Sequence, residues 1–160
     1  MKRQKKTFWR KALEAALLVF LLPVILPLAL IALAFGLAHR VTLFMLIWVL
    51  WLRRGKDILA VYSDSPIWHE YMITQVLPLI EERAVVLNWS ERNKWSKWSF
   101  QVHVFHYFGG DREFNPMVVV LRPFRRARTF RFWLPFKEWK KGDREPVESL
   151  RRELSSTLKR

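Results

Sequence analysis

Apolar residues fall along this chain in two regimes. From Ala12 to Leu52 they are nearly continuous, interrupted by only three ionisable residues, Glu14, His39 and Arg40. From Ile58 onward they come in short runs separated by polar turns. The first regime is longer than the roughly 20 apolar residues that cross a bilayer as a helix. Residues 12–38 suffice for one crossing, tilted or kinked at Pro23 and Pro27. His39-Arg40 then interrupts, and residues 41–52, VTLFMLIWVLWL, read as a shorter second limb. The pattern predicts a helical hairpin in the membrane; a single crossing and a re-entrant loop are the alternatives.

The second regime predicts a small α/β domain. Ile58–Tyr62 reads as a buried strand. Ile67–Arg83 has apolar residues at 68, 72, 76, 79 and 80, which is helical spacing, with Pro66 at its start, Asp64 or Ser65 as its cap, and a kink at Pro78. Ala84–Leu87 is a second strand, ending at Asn88-Trp89. Residues 90–108 fit both periods and are read as a helix, capped by Ser90 and stopped by Gly109-Gly110. Met117–Leu121 and Thr129–Leu134 are two further strands, antiparallel across an Arg-rich loop. Pro146 opens a last helix with Val147, Leu150, Leu154 and Leu158 on one face.

Charge changes the picture at the flanks of the apolar segment. The net charge is +14, and the first eleven residues alone carry Lys2, Arg3, Lys5, Lys6, Arg10 and Lys11. Arg53, Arg54 and Lys56 follow the segment. Basic flanks stay in the cytoplasm. A hairpin keeps both there, so the expectation is an integral membrane protein with a cytoplasmic domain. Trp48 and Trp51 lie where an interfacial belt would be. The charged start resembles that of a signal peptide, but the run is too long and no small-x-small site is well placed, so the segment reads as an uncleaved anchor. The divisions are a basic tail (1–11), the hairpin (12–54) and the domain (55–160).

The predicted order β-α-β-α-β-β-α resembles that of the thioredoxin-like fold over roughly residues 57–158. Ser65-Pro66-Ile67-Trp68 lies where that family's CxxC motif opens its first helix. Pro78 is about one turn later than the family's usual helix proline, and Asn115-Pro116 precedes the third strand, where the family places a cis-proline. The chain has no cysteine. Thiol–disulfide exchange needs a thiolate, so the resemblance implies a fold and a binding surface around the first turn and Pro116, not redox activity. A small Rossmann-like domain is the alternative fold.

Candidate chemistry gathers in three places. In SDSPIWHEY, Asp64, Ser65, Trp68, His69 and Glu70 crowd the turn after the first strand. Helix capping accounts for Asp64 and Ser65, and a His–carboxylate pair could instead do acid–base work. Asn88 and Trp89 end the second strand, on the same sheet edge as Asp64 if the two strands are parallel. Trp89, Trp95 and Trp98, interleaved with Arg92, Lys94 and Lys97, suit either a core or a headgroup layer. Arg125, Arg126 and Arg128 form a surface that could hold phosphate, from lipid or an acidic partner. His103 and His106 with Asp111 or Glu113 make at best a weak metal set, and no metal or cofactor is assigned.

No GxSxG elbow, Walker loop or HExxH is present. The reading is therefore a membrane-anchored binding or adaptor domain that contacts anionic headgroups and a protein partner. A small membrane enzyme acting on a lipid-linked or phosphorylated substrate is the alternative. Single-stranded nucleic acid ranks below both, and self-association through the apolar limbs is compatible with either.

Overall fold

The computed structural model describes residues 2–96, 98–110, 115–123 and 125–159, without the side chains of residues 2–19. The chain divides into two compact units, Met1–Met45 and Leu46–Arg160.

The first element is one long helix, α1 (Lys2–Leu50), which continues through Pro23, Pro27 and His39-Arg40. The break expected at His39-Arg40 is absent, and with it the hairpin. The reason is local. A charged residue does not interrupt the backbone ladder, and the Arg40 guanidinium lies 5.9 Å from the ring centroid of Phe44, one turn on. The stretch Phe20–Arg54 contains an 18-residue window of mean hydropathy 2.6 and is long and apolar enough to cross a membrane. From Phe20 to Leu37 its large apolar side chains are exposed.

Within the second unit, the end of α1 buries Ile47, and Trp51 just after it is buried with its ring 5.4 Å from Phe100. A 3-10 turn at Leu52–Arg54 closes on Gly55, whose φ of 72° suits glycine. Four strands follow: β1 (Ile58–Tyr62), β2 (Ala84–Asn88), β3 (Met117–Val120) and β4 (Arg128–Arg131). They form a mixed sheet in the order β2-β1-β3-β4. The pair β1–β2 is parallel, Tyr62 opposite Asn88; β3 is antiparallel to both β1 and β4. The sheet is not the all-parallel sheet of a doubly wound domain.

The central strands are buried on both faces, which explains their unbroken apolar runs. Ile58, Ala60, Val118, Val120 and Phe130 share one face, packed with Tyr71, Met72, Val76 and Ile80 and with Phe132, Phe136, Val147 and Leu154. α3 (Phe100–Gly109) packs on β1 and β2 and buries Val102, Val104 and Phe105.

Three elements differ from their sequence reading. The first domain helix is not regular: α2 (His69–Tyr71) widens into a π segment at Met72–Val76, then tightens to 3-10 at Leu77–Leu79. Pro78 has no N–H to donate into the ladder, so it terminates the helix there instead of kinking it. Ser90 does not cap a long helix. Residues Trp89–Lys94 form a 3-10 segment and α3 starts only at Phe100, stopping at Gly110 with φ 70°. Finally, β4 ends at Arg131, and an unexpected helix, α4 (Trp133–Lys140), precedes α5 (Glu145–Leu158). The Asn115-Pro116 peptide is cis.

Candidate functional site

The parallel pairing of β1 and β2 brings their carboxyl ends to one sheet edge, and residues from three segments meet there. Asn88 Nδ2 donates to Asp64 Oδ1 at 2.9 Å. Asn88 Oδ1 accepts the Ser90 N–H at 3.0 Å, and Ser90 Oγ accepts the Asp64 N–H at 2.9 Å. His69 Nδ1 lies 3.4 Å from Asp64 Oδ1, close enough for an ion pair once the ring is protonated but out of line for a hydrogen bond. The side chains of His69 and Asp64 are 37% and 51% exposed, so the group is open to water.

This corrects the capping account of the turn. The helix begins at His69, and the Ser65 backbone carbonyl, not a side chain, accepts the N–H groups of Trp68 and His69. Asp64 instead ties the end of β1 to β2 and to the 3-10 segment beyond it. An aspartate placed for capping and one placed for cross-strand bonding look alike in sequence.

Tyr62 completes the edge. Its ring centroid is 5.8 Å from that of His69. Burial raises its hydroxyl pKa, and the charges of Asp64 and Glu91 raise it further. Pro116 is buried at the same edge, since Met117 pairs with Val61, and its carbonyl accepts the Phe132 N–H. Among the described residues, two buried polar atoms lack a hydrogen-bond partner, His69 Nδ1 and Asn115 Oδ1, and both belong to this edge.

The other residues singled out in the turn do different things. Trp68 donates its indole N–H to Ser63 Oγ at 2.9 Å and packs near Phe136, so it supports the turn from inside. Ser65 is half-buried and Glu70 exposed. Trp89 meets Trp95 and Phe105 edge-on, with Arg92 over its face, which makes it a packing residue. Trp98 stands apart, 97% exposed. Sequence reasoning missed Tyr62 and gave Ser90 another role. The signal for Tyr62 was its place as the last residue of a strand that ends one register step from the turn.

The arginine loop separates into two kinds of residue. Arg128 is not free for phosphate: it donates to Thr157 Oγ1 at 3.0 Å and approaches Glu153 at 3.4 Å. Arg122 donates to the Thr157 carbonyl, supplying a partner at the end of α5. Arg125 and Arg126 are exposed. Arg125 lines an open cleft of about 280 Å³ together with Asp57, Arg83, Arg122 and Thr157. Arg83 and Asp57 form a two-pronged ion pair there. This cleft sits at the opposite sheet edge from Asp64, where β1 begins and β3 ends.

Among the described residues no group of three or more His, Asp or Glu side chains is arranged to hold a metal. His103 and His106 are exposed on α3, while Asp111, Glu113 and Lys97 lie outside the described residues. No family model matches this chain, and neither a curated protein nor a solved structure matches it.

Proposed function

We propose that this chain is a membrane-anchored binding domain whose partner surface is the sheet edge carrying Asp64, His69, Asn88 and Ser90. One observation carries the proposal: residues distant in sequence are joined there by side-chain hydrogen bonds while remaining open to water. A network with most of its groups engaged internally is a rigid recognition surface. With no cysteine in the chain, the edge binds without thiol chemistry. The partner is a protein with hydrogen-bonding groups to match Asp64 and His69, and the basic residues near the anchor contact anionic headgroups.

A thioredoxin-like fold fits this reading. Its support is the element order, the parallel β1–β2 pair bridged through α2, the antiparallel β3–β4 pair, and Asn115-Pro116 at the head of β3 beside the turn. The additional helix α4 is a departure from the expected order.

The test is native mass spectrometry of the full chain in lipid nanodiscs, with Asp64→Ala and His69→Ala as variants. A stoichiometric protein partner, weakened in a graded way by both substitutions, supports the adaptor. A second reading is favoured by the 3.4 Å approach of His69 Nδ1 to Asp64 Oδ1, which suits a carboxylate orienting a general base. On that reading the retained species is a phosphorylated lipid or sugar, lost when either residue is changed.

A further inference from the structure

The sheet edge that faces away from the partner surface has a composition of its own. It is where β1 begins, only a few residues after α1 ends, so chain length alone keeps it next to the last turn of the anchor. Four features of the second unit meet there. At the end of α1, Ile47 is buried, yet Leu46, Trp48, Val49 and Leu50 remain exposed on the other side. Trp51, directly after them, meets the ring of Phe100 at 5.4 Å. Two residues before Phe100 stands Trp98, 97% exposed, the most exposed large apolar side chain among the described residues. At this end of the sheet the exposed residues include Arg53, Arg54 and the cleft's Arg125, with Arg83 paired to Asp57 and with the acids Glu81 and Glu82.

A fully exposed indole is costly in water and favoured at a membrane–water interface, where its apolar ring and N–H are both satisfied. An apolar helix face continuous with a membrane span needs the same surroundings. Arginine side chains beside such a face match the phosphates of anionic lipids. Each feature taken alone has an ordinary explanation, but here a ring contact and a two-residue step bring Trp98 near Trp51 and the end of α1, and Asp57, six residues on from Trp51, lines the Arg125 cleft.

We infer that this edge of the domain is a seat on the bilayer: Trp98 enters the interface beside the end of α1, and the Arg125 cleft takes the phosphate of an anionic phospholipid. The domain thus rests on the membrane instead of hanging from it, which holds the Asp64 edge outward toward its partner. The inference depends on the membrane-anchor reading, and one experiment separates the two.

The cysteine-free sequence makes that experiment clean, because a single introduced thiol is the only site for a dye. Three full-length variants, Trp98→Cys, Leu33→Cys and Glu70→Cys, are labelled with an environment-sensitive fluorophore. They are reconstituted into vesicles of phosphatidylcholine with or without phosphatidylglycerol, and quenched with lipids carrying spin labels at shallow or deep positions. The expected result is deep quenching at 33, shallow quenching at 98 and none at 70. Phosphatidylglycerol strengthens the signal at 98, and added Arg125→Gln reduces that gain while Arg126→Gln leaves it. Free inorganic phosphate in excess does not displace the label from the interface. A water-like label at 98 with quenching at 33 overturns the seat and leaves the anchor standing. A water-like label at 33 overturns the anchor itself. Quenching at 98 that is indifferent to phosphatidylglycerol, or abolished by inorganic phosphate, overturns the assignment of the cleft to lipid.

Discussion

At the scale of single residues, Asn88 is the hinge pin of the candidate site, since its amide serves both Asp64 and Ser90. Asn88→Ala removes two partly exposed hydrogen bonds and is expected to cost about 1–2 kcal/mol in chemical denaturation. Asn88→Asp keeps the acceptor for Ser90 but sets a carboxylate against Asp64. It should be worse than Ala at neutral pH, and the difference should close on acidification, once the facing carboxylates share a proton. Equal losses at neutral pH would show that Asp64 does not lean on Asn88. Tyr71 offers a second check. Burial and a 3.0 Å hydrogen bond to Glu148 raise its pKa well above the ordinary 10.0. The folded state then keeps a proton that the unfolded state gives up, so this stability is complete below about pH 10 and is lost as the pH climbs beyond it. Phenolate absorbance should show a tyrosine that ionises well above pH 10 and is missing from Tyr71→Phe, which should also flatten the alkaline loss. The neighbourhood of Asp64 and Asn88 was legible because parallel strands must end on the same edge. The bond from the Asp64 N–H to Ser90 was not, because serine after a strand suits a helix cap equally well.

At the scale of elements, the sequence was most readable where burial is two-sided and least readable where two periods overlap. Phe130, Phe132 and Leu134 alternate and so predicted a strand through Leu134. The helix α4 takes over at Trp133, and its period turns Leu134 outward while Phe136, one turn from Phe132, goes in. Pro135 did not forbid this, since a helix tolerates proline in its first turn. Phe136 joins Trp68, Tyr71, Phe132 and Trp139 in one aromatic cluster. Phe136→Ala should therefore cost about 3–5 kcal/mol, within the range for emptying an aromatic site in a core. Calorimetry on the reconstituted protein would read it as a drop in Tm, and a loss under about 1 kcal/mol would mean that α4 is not part of the cooperative core. Gly110 tests the opposite case, a site with no packing at all. A methyl there meets nothing within 4 Å, so the whole effect comes from φ +70°. Gly110→Ala should cost about 1–3 kcal/mol, and Gly110→Asn as much, because with ψ −169° the residue lies in a region that essentially glycine alone adopts.

At the scale of the whole molecule, the membrane-anchor reading asks which side of the membrane the domain occupies, and α1 reframes it. A helix of 49 residues is about 74 Å long, more than twice the roughly 30 Å of a hydrocarbon core. The twenty residues from Phe20 to His39 are enough for one crossing, which leaves the apolar turns before Trp51 to the interface and the domain. A hairpin kept both basic flanks in the cytoplasm; one unbroken helix permits only one of them there. The first eleven residues carry six Lys and Arg, and residues 53–56 carry three. For a single crossing the charge rule gives the expectation of an inside amino terminus with the domain carried across. Single cysteines at Lys5 and Ser156 in the cysteine-free chain, probed with a membrane-impermeant maleimide on sealed right-side-out vesicles, decide it. Labelling of Ser156→Cys alone is the expected outcome and fixes a single crossing. Protection of both until the vesicles are lysed would return both flanks to the cytoplasm, and α1 would then have to fold back at His39-Arg40 in the bilayer. The partner surface is judged by the same result, because the side that holds Asp64 and Asn88 determines which proteins can reach them.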